Sequence, residues 1–144
     1  YGKQCLVGSL DVRKKDSEYN IYTNSGQKLI GSFQECLANY NIKEVVGELY
    51  INSIDKDGTG NGLDLELGRI IYNKTKIPFI IAGGIGRLEH IISALEEDYI
   101  NAVSTAHLLN FIGNTLEKTR QLSYDKGINL AKWKDIKQLK AKIF

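Results

Sequence analysis

Residues 78–97 read PFIIAGGIGRLEHIISALEE, and the hydrophobic period changes once within them. Pro78 opens a short aromatic and β-branched run, Phe79-Ile80-Ile81-Ala82, at a strand's first position, where a missing N–H does least harm. Gly83-Gly84-Ile85-Gly86 breaks that run. Leu88, Ile91, Ile92 and Leu95 then recur at helical spacing, which predicts a helix over Arg87 to Glu97. Ile100 to Ser104 reads as the next strand. Strand, glycine turn, amphipathic helix and strand again is the repeating unit of a parallel sheet.

The same order holds outward in both directions. Cys5 to Val12 reads as a buried strand, followed by a short extended arm, Tyr19 to Thr23, and a turn at Asn24-Ser25-Gly26. Ser32 is placed to cap a helix whose Phe33, Cys36, Leu37 and Tyr40 form one apolar stripe. Val45 to Ser53 is the second strand, and Asp64 caps a helix carrying Leu67, Ile70 and Ile71. Beyond the fourth strand, a helix from about Asn114 stops near Gly127, and Trp133, Ile136, Leu139 and Ile143 mark a last short one.

Four strand–helix units predict an α/β fold with parallel strands and helices outside them. A complete (β/α)8 TIM barrel needs eight units and about 250 residues, so residues 1–144 are expected to form a single (β/α)4 half-barrel. The rival is an open flavodoxin-like sheet. Its central strands should be more continuously apolar than these, which Gly8, Ser9, Gly47, Glu48 and Asn52 interrupt.

A 16.1 kDa chain that is 42% hydrophobic and 25% charged fills one core, which excludes a two-domain enzyme. No apolar run approaches the ~20 residues of a membrane helix and no leader pattern opens the chain, so the expected setting is cytoplasmic, away from membranes. Cys5 and Cys36, with no second pair, predict two buried thiols rather than a disulfide framework or a zinc site. Residues 114–144 carry a net +5 and the remainder −3. No aromatic residues interleave with Lys132, Lys134, Lys137, Lys140 and Lys142, so they read as a solvated helix rather than a nucleic-acid footprint. The chain starts at Tyr1 and has no methionine, which predicts a piece of a longer protein.

The polar residues gather where strands end. Strand one finishes in Ser9-Leu10-Asp11, strand two in Asn52-Ser53-Ile54-Asp55-Lys56-Asp57-Gly58-Thr59, strand three in Ala82-Gly83-Gly84-Ile85-Gly86 and strand four in Ser104-Thr105-Ala106-His107. In a (β/α) barrel these ends share one face, where glycine N–H groups and helix N-termini suit a phosphate. Asp11 is the candidate general acid or base, or else an ion-pair partner of Arg13 or Lys14. Asp55 to Glu66 nearly fits a calcium loop, but Val45 to Ile51 before it reads as strand, not helix. His90 reads as a boundary residue of its helix, and no histidine pair is spaced for a metal.

Taken together, Ser9-Leu10-Asp11-Val12-Arg13, Tyr22-Thr23 to Gly26, Asn52 to Thr59 with Asp64, and Ala82 to Gly86 with Glu89-His90 resemble the C-terminal half of the cyclase subunit of imidazole glycerol phosphate synthase. That resemblance implies a barrel of two similar halves, one phosphate site in each, and a glutaminase partner supplying ammonia. The family's reaction takes a bis-phosphorylated phosphoribulosyl-formimino aminoimidazole carboxamide nucleotide and ammonia to imidazole glycerol phosphate and the aminoimidazole carboxamide nucleotide, without cofactor or metal. By the resemblance, Asp11 is the catalytic aspartate of this half and Asn52 and Asp57 contact substrate. Gly58, Thr59, Gly83, Gly84, Ser104 and Thr105 line the phosphate site. His107 stands where the family has a small residue. This change, with Ser-Leu-Asp-Val-Arg-Lys-Lys at strand one, also resembles the cyclase-like paralogues of surface-polysaccharide amidation, in which a barrel relays ammonia to a sugar-modifying enzyme. A third reading is a non-catalytic half-barrel that only assembles with a partner chain.

Four parallel strands cannot close a barrel. Unpaired edges at strands one and four, and inward Leu6, Tyr50, Ile80 and Val103, therefore predict a homodimer of half-barrels, or else a cover formed by the segment of Trp133, Ile136 and Leu139.

Overall fold

The computed structural model describes residues 2–106, 108 and 115–131. The strands are β1 Val7–Lys15, β2 Glu18–Thr23, β3 Lys28–Ser32, β4 Glu48–Ser53, β5 Phe79–Ala82 and β6 Ala102–Ser104. The helices are α1 Phe33–Tyr40, α2 Ile42–Val45, α3 Leu65–Thr75, α4 Leu88–Leu95 and α5 Thr115–Asp125. Trp133, Ile136, Leu139 and Ile143 lie outside the described residues, as does His107.

One sheet runs in the order β3-β2-β1-β4-β5-β6. The pairs β1/β4, β4/β5 and β5/β6 are parallel. Each new parallel strand is added on the same side as the last. A doubly wound sheet reverses direction part-way; the continuous order is that of a barrel wall. The α/β expectation holds, and the architecture is that of part of a (β/α)8 barrel.

The extended arm is corrected. It is β2, paired antiparallel with β1 from Asp11↔Tyr22 to Lys15↔Glu18, and β3 continues the meander. Asp16 and Ser17 both take positive φ, 51° and 68°, as a two-residue hairpin turn requires. The charged run Arg13-Lys14-Lys15 lies beyond the expected end of the strand at Val12. It is strand because each cation finds a partner or solvent beyond the end of the parallel sheet.

The helix boundaries follow their caps. Ser32 Oγ accepts the Glu35 N–H at 3.2 Å while the Glu35 carboxylate accepts the Ser32 N–H at 2.9 Å, a reciprocal box that satisfies two N–H groups at the helix start. The same bonds hold the Glu35 carboxyl below its usual range. Asp64 Oδ1 accepts the Leu67 N–H at 3.0 Å and starts α3. At the end of α5, Gly127 with φ 76° lets the Ile128 N–H reach Ser123 O and the Gly127 N–H reach Tyr124 O.

The core lies between the sheet and α1, α3 and α4. Val12, Leu49, Ile51, Leu67, Ile71, Phe79 and Ile81 are fully buried there, and α3 comes so close to β5 that Gly68 packs on Ile81 and Phe79. Register sorts the other face. Ser9, Tyr50, Ile80 and Ala102 form one row across the sheet, and Asp11, Asn52, Ala82 and Ser104 the next. Among the described residues no element covers these rows. Val103 lies in register with Ile81 and packs on the helical face, not inward as expected. Leu6 precedes the sheet and is half exposed.

Three smaller expectations also change. Cys5 is exposed, and only Cys36 is buried, its thiol pushed upward first by burial and then by Glu35. Tyr40, at the end of the α1 stripe, is 62% exposed. The fourth strand starts at Ala102, because Asn101 turns its side chain back to accept the Phe79 N–H at 3.2 Å.

Candidate functional site

A cavity of about 400 Å³ opens at the C-terminal ends of β1, β4, β5 and β6, within the usual span of small-molecule sites, ~300–1,000 Å³. Its lining includes Asp11, Asn52, Asp57, Gly58, Thr59, Gly83, Gly84, Ser104 and Thr105. These nine residues singled out from the sequence therefore stand around one concavity, while His107 lies outside the described residues. The convergence follows from register, because Asp11, Asn52, Ala82 and Ser104 are Cα partners across four strands.

Asp11 does not take the ion-pair role. Asn52 Nδ2 donates to its Oδ1 at 3.2 Å. Arg13 instead approaches Asp55 at 3.5 Å and lies over the Tyr22 ring, while Lys14 pairs with Glu66 at 2.7 Å. The Asp11 side chain stays half-buried in the cavity wall.

The loop from Ser53 to Asp64 begins as a tight turn, with Ser53 O accepting the N–H groups of Lys56 and Asp57 at 3.1 and 2.9 Å. Thr59 turns its hydroxyl into the loop, donating to Lys56 O at 2.7 Å and accepting the Asn61 N–H at 3.2 Å. Among the described residues, neither the Gly58 nor the Gly84 N–H has a protein partner. Gly84 has φ 97°, and a Cβ there would collide with Gly62 O. Only glycine lets the two loops meet.

The hairpin ties down both ends of the longer loop. The Lys14 N–H donates to Asp55 Oδ2 at 2.7 Å, and Tyr19 OH bonds Asp64 at 3.1 Å beside Glu66. Burial first, then the Asp64 and Glu66 carboxylates, push the Tyr19 phenol above its ordinary range. The Lys14 hydrogen bond holds Glu66 below the usual carboxylate range. Asp55 and Glu66, the first and last positions of the calcium-like loop, are thus engaged with cations, and β4 rather than a helix enters it.

Two residues at the site escape a reading of function from sequence. Tyr50 reads there as an inward core residue; its hydroxyl donates to Ser104 Oγ at 3.3 Å and forms part of the cavity wall. His90 accepts the Gly86 N–H on Nδ1 at 3.2 Å. Besides the family resemblance of Glu89-His90, its position one turn into the helix after a glycine run is the signal the sequence offers.

A part-barrel with an open, glycine-lined cavity at its strand ends is the class that fold and site define. Residues 1–113 match the family described as histidine biosynthesis protein, and the chain belongs to that family. It is similar to a protein of Parasynechococcus marenigrum (strain WH8102) whose name reads "Putative imidazole glycerol phosphate synthase subunit hisF2", with 32% identity over 142 residues. That alignment covers 92% of this chain and 50% of the relative. The chain thus spans about half the length of the curated relative. No helix among the described residues is long and apolar enough to cross a membrane.

Proposed function

We propose that this chain is the C-terminal half of a cyclase subunit of imidazole glycerol phosphate synthase, with Asp11 as its acid/base group and the glycine loops as one of two phosphate sites. The supporting observation is that the Asp11–Asn52 pair and the Gly58 and Gly83-Gly84 loops share one cavity. The substrate class is a bis-phosphorylated nucleotide, the partner a glutaminase subunit that delivers ammonia, and the setting the cytoplasm. Backbone N–H groups would hold one phosphate end. Asp11 would move a proton during ring closure, its second oxygen facing the ligand while Asn52 fixes the first. The other catalytic aspartate and phosphate site belong to the other half, so this chain alone does not complete the reaction.

Titrating inorganic phosphate against the chain is expected to shift the amide resonances of Gly58, Gly84 and Thr105. Shifts confined to the C-terminal lysines would overturn the site. Rescue of a histidine auxotroph by the full-length gene separates the cyclase from the ammonia-relaying paralogue, since only the cyclase restores growth.

In isolation the chain is expected to form a homodimer. The side of β1 away from β4 is unpaired over Val7 to Leu10, β6 is the opposite edge among the described residues, and Tyr50 and Ile80 lie half-buried on the uncovered face. A second copy would supply the missing strands around a two-fold axis. Light scattering at several concentrations checks this: a mass fixed at 16.1 kDa would exclude it.

A further inference from the structure

The two glycine loops meet backbone to backbone. The Gly62 N–H donates to Gly84 O at 2.8 Å, and a Cβ on Gly86 would lie 2.6 Å from Gly60 Cα. Between Gly60 and Gly86 the contact is backbone on backbone, with no side chain of either residue to resist slipping. His90, one turn into α4, reaches both loops from beneath. Its Nδ1 accepts the Gly86 N–H at 3.2 Å, and its ring packs on Gly62, where a Cβ would stand 3.6 Å from Cδ2. Arg87 Nη2 lies 3.3 Å from Nε2. A neutral imidazole has one acceptor nitrogen. The part-buried Gly86 N–H takes Nδ1 as its acceptor, while the exposed Arg87 guanidinium also reaches water.

We propose that His90 is a positioning residue for the anion site. By holding Gly86 against Gly60 and Gly62, it sets where the Gly58 and Gly84 N–H groups point. The inference rests on reading these loops as a phosphate site.

The test compares the wild-type chain with His90→Phe and His90→Asn. Asn carries its Oδ1 on Cγ, as His carries Nδ1, and so keeps an acceptor near the Gly86 N–H. Inorganic phosphate is titrated into each, and Gly86 amide exchange is measured separately without phosphate. His90→Phe is expected to weaken phosphate binding about three- to tenfold and to speed Gly86 exchange, while His90→Asn restores both. A ring that only filled space would be replaced by Phe without loss, so unchanged phosphate affinity in His90→Phe overturns the proposal. If the wild type binds no phosphate, the reading of the loops fails. Gly86 exchange, which needs no ligand, then still decides the brace: an unchanged rate in His90→Phe overturns it, and a faster one restored by Asn supports it.

Discussion

Asp11→Asn, introduced into a full-length barrel carrying this half, is expected to lower ammonia-dependent kcat by roughly 10²-fold or more, the scale of a lost proton-transfer group. The substitution is nearly isosteric and keeps an oxygen to accept from Asn52, so the fold and the strand-end cavity should survive. What disappears is the carboxyl group that would carry the proton. Phosphate affinity should therefore remain close to wild type while turnover falls. Steady-state kinetics with an ammonium salt, alongside phosphate titration, measures both. An unchanged kcat would reduce Asp11 to a structural partner of Asn52.

Gly84→Ala is expected to be the most damaging single methyl in the molecule's upper face. At φ 97° an L side chain is strained, and the new Cβ would run into the backbone carbonyl of Gly62, which cannot rotate away as a side chain could. The loops must separate, the Gly62 to Gly84 hydrogen bond breaks, and a loss of about 3 kcal/mol or more is expected. Gly58 provides the control. It too has positive φ, 73°, but nothing lies within 4 Å of the place its new methyl would occupy, so Gly58→Ala should cost only the conformational term, about 1–2 kcal/mol. Thermal or denaturant unfolding of the two variants checks the contrast. Equal losses would show that the close approach of the loops does not matter.

The parallel wall is readable because its signals are local. Phe79 to Ala82 and Leu88 to Leu95 differ in period, and capping side chains at Ser32 and Asp64 stand where their helices begin. The site is readable because glycines and polar residues recur at successive strand ends. The antiparallel meander is not: its pairs lie close in sequence, but the Asp16-Ser17 turn carries no glycine to mark the hairpin. Asp55 and Glu66 stand far along the chain from Lys14 and come beside it only in the fold. Val103 falls on the wrong face from sequence because alternation over so short a strand does not say which set of side chains meets the helices, and only the register with Ile81 settles which side it takes. His90 stays hidden for a related reason: its acceptor role depends on an amide in a loop whose path no periodicity specifies.

The divided pairing of β1 limits what can be built onto it. Among the described residues its edge away from β4 is unpaired from Val7 to Leu10, but from Asp11 onward β2 occupies it. An incoming strand can advance along that edge only until it meets the hairpin. A slip of one residue would turn every side chain of the newcomer to the opposite face, and slippage would also change the stagger on which barrel closure depends. The hairpin is therefore a stop that blocks sliding in one direction, setting the register of whatever completes the wall before any ligand arrives.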